Sequence, residues 1–222
     1  MSTFAVVPVK SLLKSKTRLS SFFTFQERTL FTLAMLQDVL NALKSSNVNK
    51  TVVVSSDLTV ERFVKNFGMT FLKETHEGLN QALNQATKWC IRKAAEWVLV
   101  LPADVPLVTS KDINQIINLA LNNSVVVSPS RNGGTNALLQ TPPGVVSPCF
   151  GSDSFKKHIC GALIKHVRTK IYVSLNVMLD IDSEKDLEQL LKVGRQTASH
   201  RFLKESSWSK TSHQVDACNK KA

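Results

Sequence analysis

The chain has 222 residues, and 43% of them are hydrophobic, which is enough to build a sizeable core and excludes an intrinsically disordered chain. It carries 28 lysines and arginines against 17 acidic residues, and the net charge of +11 favours anionic partners such as nucleotides, phosphorylated metabolites, nucleic acids or membrane surfaces. Its four cysteines form no C-x-x-C pair, and no apolar segment approaches the ~18 residues that cross a bilayer, so we expect neither a zinc or disulfide framework nor a membrane protein. The first residues lack a signal-peptide pattern, and we therefore expect a cytoplasmic location.

Strand and helix patterns alternate along the chain, which predicts an α/β domain in which helices cover a sheet. Short apolar runs predict strands at residues 3–9, 50–57, 69–72, 97–101 and 124–130, with further strands after the glycine pair at 133–134 and at 170–175. Helical spacing of apolar residues predicts helices at 25–46, 58–67, 77–96, 110–123, 154–166 and 183–194. Ser110 is the expected N-cap of the fourth helix. We expect one domain over residues 1–204 and a polar, poorly ordered tail over residues 205–222.

A basic loop, "PVKSLLKSKTRLS" at residues 8–20, follows the first predicted strand. Ligands of open α/β sheets bind outside the carboxyl ends of the strands, so Lys10, Lys16 and Arg18 could neutralise a triphosphate there. The loop could equally be a solvated face. The chain contains neither a phosphate-binding G-x-x-x-x-G-K-[ST] loop nor a G-x-G-x-x-G, which disfavours a dinucleotide-binding Rossmann enzyme.

Carboxylates follow two apolar runs. Asp104 comes after the run at 97–101 and stands between two prolines, as a turn residue or as a ligand of a divalent metal. Asp180 and Asp182 follow a second strand-like run, and their spacing on extended backbone points both side chains the same way. Mg²⁺ needs only one or two carboxylates besides substrate phosphates, so Asp104 and Asp182 would suffice if the two segments adjoin. The alternative for Asp182 is the N-cap of the helix that follows.

Two small-residue motifs are candidates for binding an anion. "NGGTNALL" at residues 132–139 brings a hydroxyl, Thr135, next to a glycine pair that either lets a ligand approach the backbone or forms a tight turn. "CFGSDSF" places Gly151 and Ser154 at a helix start, where amide groups favour an anion, or where Ser154 caps the helix.

A candidate nucleophile or general base is missing from the pattern. The five histidines show no metal-ligand spacing, and no Ser or Cys motif of nucleophilic catalysis occurs. A phosphate monoester is mostly dianionic at neutral pH and can attack without a base. Metal and cationic side chains would then carry most of the catalysis.

Taken in order, "VPVKSLLKSKTRLS", "VVVSSD", "EGLNQAL", "LVLPADVPL", "PSRNGGTNALL", "FGSDSF" and "LDIDSEKDLEQLL" resemble the 2-phospho-L-lactate guanylyltransferase family of coenzyme F420 biosynthesis. The resemblance runs from about residue 4 to residue 203. It implies a nucleotide-diphospho-sugar-transferase-like fold, with a Rossmann-like mixed sheet, helices on both faces, and often a homodimer. It also implies transfer of GMP from GTP to 2-phospho-L-lactate with Mg²⁺ and release of pyrophosphate. Other relatives act on phosphoenolpyruvate or 3-phosphoglycerate.

The resemblance assigns expected roles to particular residues. The nucleotide would be bound by Pro8, Lys10, Lys16, Arg18, Gly78, Asn80 and Pro102. Lys10, Lys16, Arg18 and Asp104 would be catalytic, and Asp104 and Asp182 would hold the metal. Thr135, Gly151 and Ser154 would contact the phosphorylated three-carbon acid. Family members commonly read Asp-Gly-Gly-Thr, whereas Asn132 precedes the glycines here and removes a charge.

The high pI raises the alternative of a nucleic-acid-binding module. Such a module is expected to interleave aromatic residues with basic ones or to carry a known RNA motif. The chain has only three Trp and one Tyr and shows no such pattern, so no nucleic-acid partner is expected. The choice among the three acids, and the strictness for GTP, stay open on the sequence alone.

Overall fold

Seven strands form one mixed sheet in the computed structural model, which describes residues 1–194, 196–206 and 208. The strands are β1 (Thr3–Pro8), β2 (Lys50–Ser55), β3 (Thr70–Lys73), β4 (Trp97–Val100), β5 (Ser124–Pro129), β6 (Thr135–Thr141) and β7 (Arg168–Ile171). Their order is β3-β2-β1-β4-β6-β5-β7. Strands β1 to β4 are parallel to one another, β6 runs antiparallel to β4 and β5, and β7 is parallel to β5. The mixed sheet is therefore confirmed.

Helices cover both faces of the sheet. They are α1 (Phe25–Lys44), α2 (Leu58–Asn66), α3 (Leu79–Arg92), α4 (Ser110–Leu119), α5 (Ser154–Ile164), α6 (Leu175–Met178), α7 (Glu184–Val193) and α8 (Ala198–Glu205). Because side chains alternate along a strand, Ala5 and Val7 of β1 pack with α1, α2 and α4, whereas Phe4 and Val6 pack with α3 and α5. Each sheet face thus has its own core. In the part of the chain that the structure describes, no helix is long and apolar enough to span a membrane.

The structure corrects three local predictions. Thr109, not Ser110, is the N-cap of α4, and a capping box joins it to Asp112. The strand predicted at 170–175 ends at Ile171, and the run before Asp180 is the short helix α6. Two 3₁₀ turns, Leu12–Lys14 and Thr17–Leu19, and the helix α8 were not predicted, because a turn or a polar helix of this length leaves too little apolar periodicity.

A third core cluster lies beside the sheet and ties α1 to α7 and α8. It includes Phe31 and Met35 of α1, Leu190 of α7 and Leu203 of α8. Buried Trp208 belongs to the same cluster. Most of the tail predicted over residues 205–222 lies outside the described residues, so the domain boundary stays a prediction.

A buried carboxylate fixes the start of α8. Asp38 of α1 accepts the backbone N–H groups of Ala198 (2.7 Å) and Ser199 (2.9 Å) and the Ser199 hydroxyl (2.6 Å). These are two of the amide groups that the first turn of a helix leaves without a partner inside the helix. Asp38 thereby links two elements that are distant in sequence.

Asp38→Ala is expected to lower the free energy of unfolding by about 1–3 kcal/mol, because buried donors lose their acceptor. Urea denaturation followed by circular dichroism measures the change. Glu61→Ala, which removes an acidic side chain of α2 that pairs with Lys65 within that helix, is the control and should change the midpoint little. Equal midpoints for Asp38→Ala and the parent chain would contradict the role given to Asp38.

Candidate active site

A cavity of about 590 Å³ opens where β1 and β4 end and β6 begins. Because β6 runs antiparallel to β4, its first residues lie at the same sheet edge as the last residues of β1 and β4. The cavity lining brings together most of the residues predicted for the site, namely Pro8, Lys10, Lys16, Arg18, Pro102, Asp104, Thr135, Gly151, Ser154 and Asp182. Segments far apart in sequence therefore share one concave surface.

The Lys16 ammonium lies between two carboxylates of this cavity. Its Nζ donates to Asp104 Oδ2 at 3.0 Å and to Asp182 Oδ1 at 2.7 Å. The lysine side chain is 8% exposed, whereas the two aspartates are 34% and 40% exposed. A buried ammonium is tolerated here because two opposite charges compensate its loss of water. The carboxylate oxygens converge on one cation.

The backbone explains why Asp104 and Asp182 meet. The N–H of Ile181 donates to the carbonyl oxygen of Asp104 at 3.0 Å, which holds the segment before α7 against the turn after β4. The two segments that the metal prediction required to adjoin do so. Asp182 does not cap α7, since Ser183 is the N-cap and forms a capping box with Asp186. That alternative for Asp182 is wrong.

The basic loop after β1 has a fixed conformation. The N–H of Leu12 donates to Asp57 at the start of α2 (3.0 Å), and the hydroxyl of Thr32 in α1 lies 3.2 Å from that of Ser15. Lys16 adopts a left-handed backbone conformation, with φ of 48°, which is uncommon for a residue with a side chain. Such local strain persists only where the surroundings over-determine it, and it is frequent at functional sites.

The charges of the cavity shift the pKa values of its groups. Burial raises the pKa of Asp182, but the positive charges of Lys16, Arg18 and Lys10 outweigh burial and hold that pKa below its usual value. Burial likewise lowers the pKa of Lys16, but the charges of Asp104 and Asp182 outweigh it and raise that pKa. At neutral pH the cluster therefore contains a charged lysine and a charged Asp182.

A third acidic side chain, Asp180, lies in the same wall. The pKa of Asp180 is raised by burial, and the neighbouring charges of Asp104 and Asp182 raise it further. Asn136 of β6 donates its side-chain N–H to Asp180 Oδ1 (3.2 Å) and to the carbonyl oxygen of Val177 (2.9 Å). Asn136 was missed from the sequence, although it directly follows the threonine of the glycine motif.

The chemistry of these carboxylates fits Mg²⁺. Among the described residues, no group of three His, Cys, Asp or Glu side chains could hold a metal ion by itself. Asp104 and Asp182 already converge on the cation of Lys16, and magnesium in nucleotide-binding sites needs only one or two carboxylates beside phosphate oxygens. The donor set therefore suits a metal that arrives with a phosphorylated ligand.

The glycine motif forms a tight turn against the cavity. The N–H of Gly134 donates to Ser130 Oγ at 2.9 Å, and Gly133 has φ of +77°, which favours glycine. A Cβ at position 134 would lie 2.8 Å from Ser130 Oγ, so a larger residue there would force the Ser130 side chain to shift. Asn132 lines the cavity next to this turn, and its uncharged side chain leaves that wall less acidic than the common aspartate would.

At the start of α5, the group available to a ligand is the Ser154 hydroxyl, because the first amide groups already have hydrogen-bond partners. Ser154 is not the N-cap; Asp153 holds that place, and the amides of Ser154 and Phe155 donate to the carbonyl oxygens of Gly151 and Gly133. Ser154 Oγ is fully buried, lines the cavity and has no hydrogen-bond partner among the described residues. A buried hydroxyl without a partner is costly unless a ligand supplies one.

Two residues that the resemblance assigns to nucleotide binding, Gly78 and Asn80, lie outside the cavity lining. Gly78 precedes α3 with φ of +117°. The Asn80 side chain donates to the carbonyl oxygen of Phe150 (3.1 Å) and accepts the N–H of Phe150 (2.8 Å). Its amide is thus engaged in fixing the segment just before Gly151. Contact of Gly78 and Asn80 with a nucleotide stays a prediction.

Comparison with known sequences gives a consistent result over nearly the whole chain. A family model described as guanylyl transferase CofC like matches residues 3–219. The 2-phospho-L-lactate guanylyltransferase of Methanobrevibacter smithii is 31% identical over 203 residues, which cover 91% of this chain and 89% of that protein. The phosphoenolpyruvate guanylyltransferase of Rubrobacter xylanophilus is 38% identical over 192 residues, which cover 86% and 94%.

Comparison with solved structures concerns the fold. An inferred nucleotide-diphospho-sugar transferase from Desulfovibrio desulfuricans G20 superposes with a TM-score of 0.79 at 16% identity, covering 92% of this chain and 95% of that one. A nucleotidyl transferase from Methanothermobacter thermautotrophicus has a TM-score of 0.66 at 14% identity, covering 92% and 99%. The nucleotide-diphospho-sugar-transferase-like fold is confirmed.

Lys16→Met is expected to lower the free energy of unfolding at pH 7.5 by about 1–3 kcal/mol. This loss is smaller than that caused by removing one partner of a fully buried ion pair, because the carboxylates of Asp104 and Asp182 are partly exposed. The pKa of Asp182 is lowered in the folded protein, and this lowering stabilises the fold at pH values above 3.8, the ordinary pKa of the carboxyl group. The stabilisation is lost as the pH falls through the lower folded-state pKa. Without Lys16 most of this contribution disappears, so the deficit should persist at pH 4 and shrink only as the pH falls below 3.8. Urea denaturation at several pH values measures it.

Lys14→Met is the matched control, since Lys14 lies in the same loop and pairs with Glu77 at the exposed surface. This variant should unfold like the parent chain. A Lys16→Met deficit that is the same at pH 7.5 and at about pH 2.5 would contradict the electrostatic account.

Proposed function

The chain belongs to the CofC-like guanylyl transferase family, and on that premise we propose that it transfers GMP from GTP to 2-phospho-L-lactate and releases pyrophosphate, in coenzyme F420 biosynthesis. The observation that carries the proposal is the shared cavity, in which a basic loop and a carboxylate pair face a wall of hydroxyl groups. The protein is a nucleotidyltransferase, and a cavity of this size accommodates a nucleotide and a small acid side by side.

The nucleotide lies against the loop after β1 in this proposal. Lys10 and Arg18 line the cavity and neutralise the triphosphate, together with the Lys16 ammonium between its carboxylates. Asp104 and Asp182 would hold Mg²⁺, which supplies further charge neutralisation at the phosphates when bound. Pro8 and Pro102, at the ends of β1 and β4, form the rigid floor beneath the nucleotide.

The phosphorylated acid lies against the start of β6 and α5. The hydroxyl groups of Thr135 and Ser154 donate to its anionic oxygens, and Gly151 lets the acid approach the backbone. The unpartnered, fully buried hydroxyl of Ser154 supports this arrangement, because an anion would supply its missing acceptor.

The transfer is a displacement at phosphorus. An oxygen of the acid's phosphate forms a bond to the α-phosphorus of GTP, and the bond from that phosphorus to the bridging oxygen of the β-phosphate breaks. The electron pair leaves with pyrophosphate, which Lys10, Lys16 and Arg18 stabilise.

The attacking group needs no base. The second pKa of a phosphate monoester is about 6, so no proton has to be removed at neutral pH. In agreement, neither histidine nor cysteine occurs among the described residues that line the cavity.

One relative supports a second candidate acid. A similar protein of Rubrobacter xylanophilus is named phosphoenolpyruvate guanylyltransferase, and this supports phosphoenolpyruvate as the alternative acid here. 3-Phosphoglycerate is a third candidate by resemblance. A homodimer is proposed by the same resemblance. A cytoplasmic location is proposed from the sequence pattern, and no nucleic-acid partner is proposed.

Asp104→Asn is expected to reduce turnover at least a hundredfold, because the variant loses a charge at the site where the transferred phosphoryl group becomes more negative. The fold should persist, as judged by circular dichroism, since asparagine keeps the shape of the side chain. Pyrophosphate release from GTP measures the rate, with Glu61→Gln on the surface of α2 as the control. Turnover at the parent rate would refute the assignment of Asp104.

A pyrophosphate-release assay that pairs each of the four nucleoside triphosphates with each of the three acids is expected to give its highest kcat/KM for GTP with 2-phospho-L-lactate. Mass spectrometry should detect lactyl-2-diphospho-5′-guanosine in that reaction. A higher kcat/KM with phosphoenolpyruvate would make that acid the substrate. Tight, salt-dependent binding of nucleic acid without any turnover would instead favour the nucleic-acid-binding alternative.

A further inference from the structure

We propose that His158 is a positioning residue that turns the Thr135 hydroxyl into an obligate hydrogen-bond donor towards an anionic group of the phosphorylated acid. The proposal rests on the proposed function for the identity of the acid. His158 lies one turn into α5, is fully buried, and does not line the cavity. It acts through Thr135 and does not itself touch the substrate.

Both ring nitrogens of His158 are engaged. Nδ1 lies 2.9 Å from Thr135 Oγ1, and the backbone N–H of Cys149 donates to Nε2 at 3.0 Å. The ring of Phe150 packs edge-on against the imidazole, with 5.0 Å between the ring centroids. The histidine therefore joins α5, the first residue of β6 and the segment before Gly151.

These contacts fix the tautomer. A backbone N–H can only donate, so Nε2 must carry the lone pair, and the proton of a neutral imidazole must then lie on Nδ1. That proton points at Thr135 Oγ1, which accepts it. The assignment follows from the hydrogen-bond partners and makes the direction of each bond definite.

The neutral state of the ring is supported by its surroundings. Burial lowers the pKa of His158 to about 4, so the imidazole carries one proton at neutral pH. A protonated ring would have an N–H on Nε2 facing the N–H of Cys149, which is repulsive.

The direction of the bond has a consequence for recognition. The Thr135 hydroxyl accepts a hydrogen bond from His158, and its own proton is left to donate into the cavity that Thr135 lines. Ser154 Oγ, also buried in this wall, has no partner among the described residues. Because the Thr135 hydroxyl can only donate and the Ser154 hydroxyl is free to donate, this wall selects acceptor groups, and carboxylate or phosphate oxygens are the strongest of these.

The segment that holds Cys149 is itself fixed. The Asn80 amide makes two hydrogen bonds with the backbone of Phe150, the next residue. The N–H of Cys149 is thereby held at Nε2. A proton on Nε2 would face this N–H, so the tautomer with its proton on Nδ1 is the stable one. Asn80 contributes to the acid side of the cavity through this contact.

Two variants separate the functions of the two nitrogens. The amide of His158→Asn can take the place of Nδ1 and still donate to Thr135, whereas His158→Gln can replace Nε2 and still accept from Cys149 but leaves Thr135 without its donor. We expect His158→Gln to raise KM for 2-phospho-L-lactate tenfold to a hundredfold, with KM for GTP within about twofold. His158→Asn should stay within about threefold for both substrates.

The same comparison in a Thr135→Val background tests whether His158 acts through the hydroxyl. There the two His158 variants should have equal KM values for the acid, because the group that they orient is missing. A purely structural role would affect both variants alike in both backgrounds, and that pattern would overturn the proposal.

The tautomer can be read directly in the unsubstituted protein, so the proposal survives a variant that fails to fold. Long-range ¹H–¹⁵N NMR spectra of the histidine side chains at pH 7 should show His158 with its proton on Nδ1. A proton on Nε2, or a doubly protonated ring, would overturn the assignment. If the enzyme turns over none of the three acids, the proposed function fails, while this spectrum still decides the direction of the hydrogen bond between His158 and Thr135.

Discussion

A buried ammonium between two carboxylates is the interaction on which the site depends. Lys16 comes from the loop after β1, Asp104 from the turn after β4 and Asp182 from the segment before α7. The Lys16 charge, together with those of Arg18 and Lys10 near Asp182, offsets the repulsion between the two acids. Asp180 lies in the same wall and adds to the repulsion that Lys16 must offset. The strained backbone of Lys16, the bond from Ile181 to Asp104 and the third core cluster all hold this contact in place. Stability and chemistry therefore rest on the same charges.

The cavity around this contact has two chemically different sides. Cationic side chains of the loop after β1 line one side, and hydroxyl groups at the starts of β6 and α5 line the other. The reversal of strand direction at β6 creates the second side, because it brings the beginning of a strand to the edge where its neighbours end. His158 lies behind the hydroxyl side and orients it. In the proposed function, the triphosphate and the phosphorylated acid are therefore recognised by different chemistry, and the acid needs no base to attack.

The sequence was sufficient to predict the sheet and its covering helices, and most of the site residues predicted from it line the cavity. Continuous apolar runs such as the one before Asp104 indicate buried strands, and the charged or polar residues that follow them must lie at a sheet edge. The meeting of Asp104 and Asp182 could not be predicted, because it depends on strand order and on a backbone bond between segments far apart. His158 escaped notice since one histidine in an apolar helix usually belongs to the core, and its partners are set by tertiary contacts. The capping of α4 by Thr109 was missed because Thr109 and the next residue, Ser110, are both residue types that cap helices well.

The most direct test of this account is a crystal structure of the protein with 2-phospho-L-lactate and a non-hydrolysable GTP analogue. The account predicts the triphosphate along Lys10, Lys16 and Arg18, the acid at Thr135 and Ser154, and the α-phosphorus between the acid's phosphate and the Asp104–Asp182 pair. A nucleotide bound away from the Lys16 cluster, or an acid without contact to Thr135 and Ser154, would contradict it.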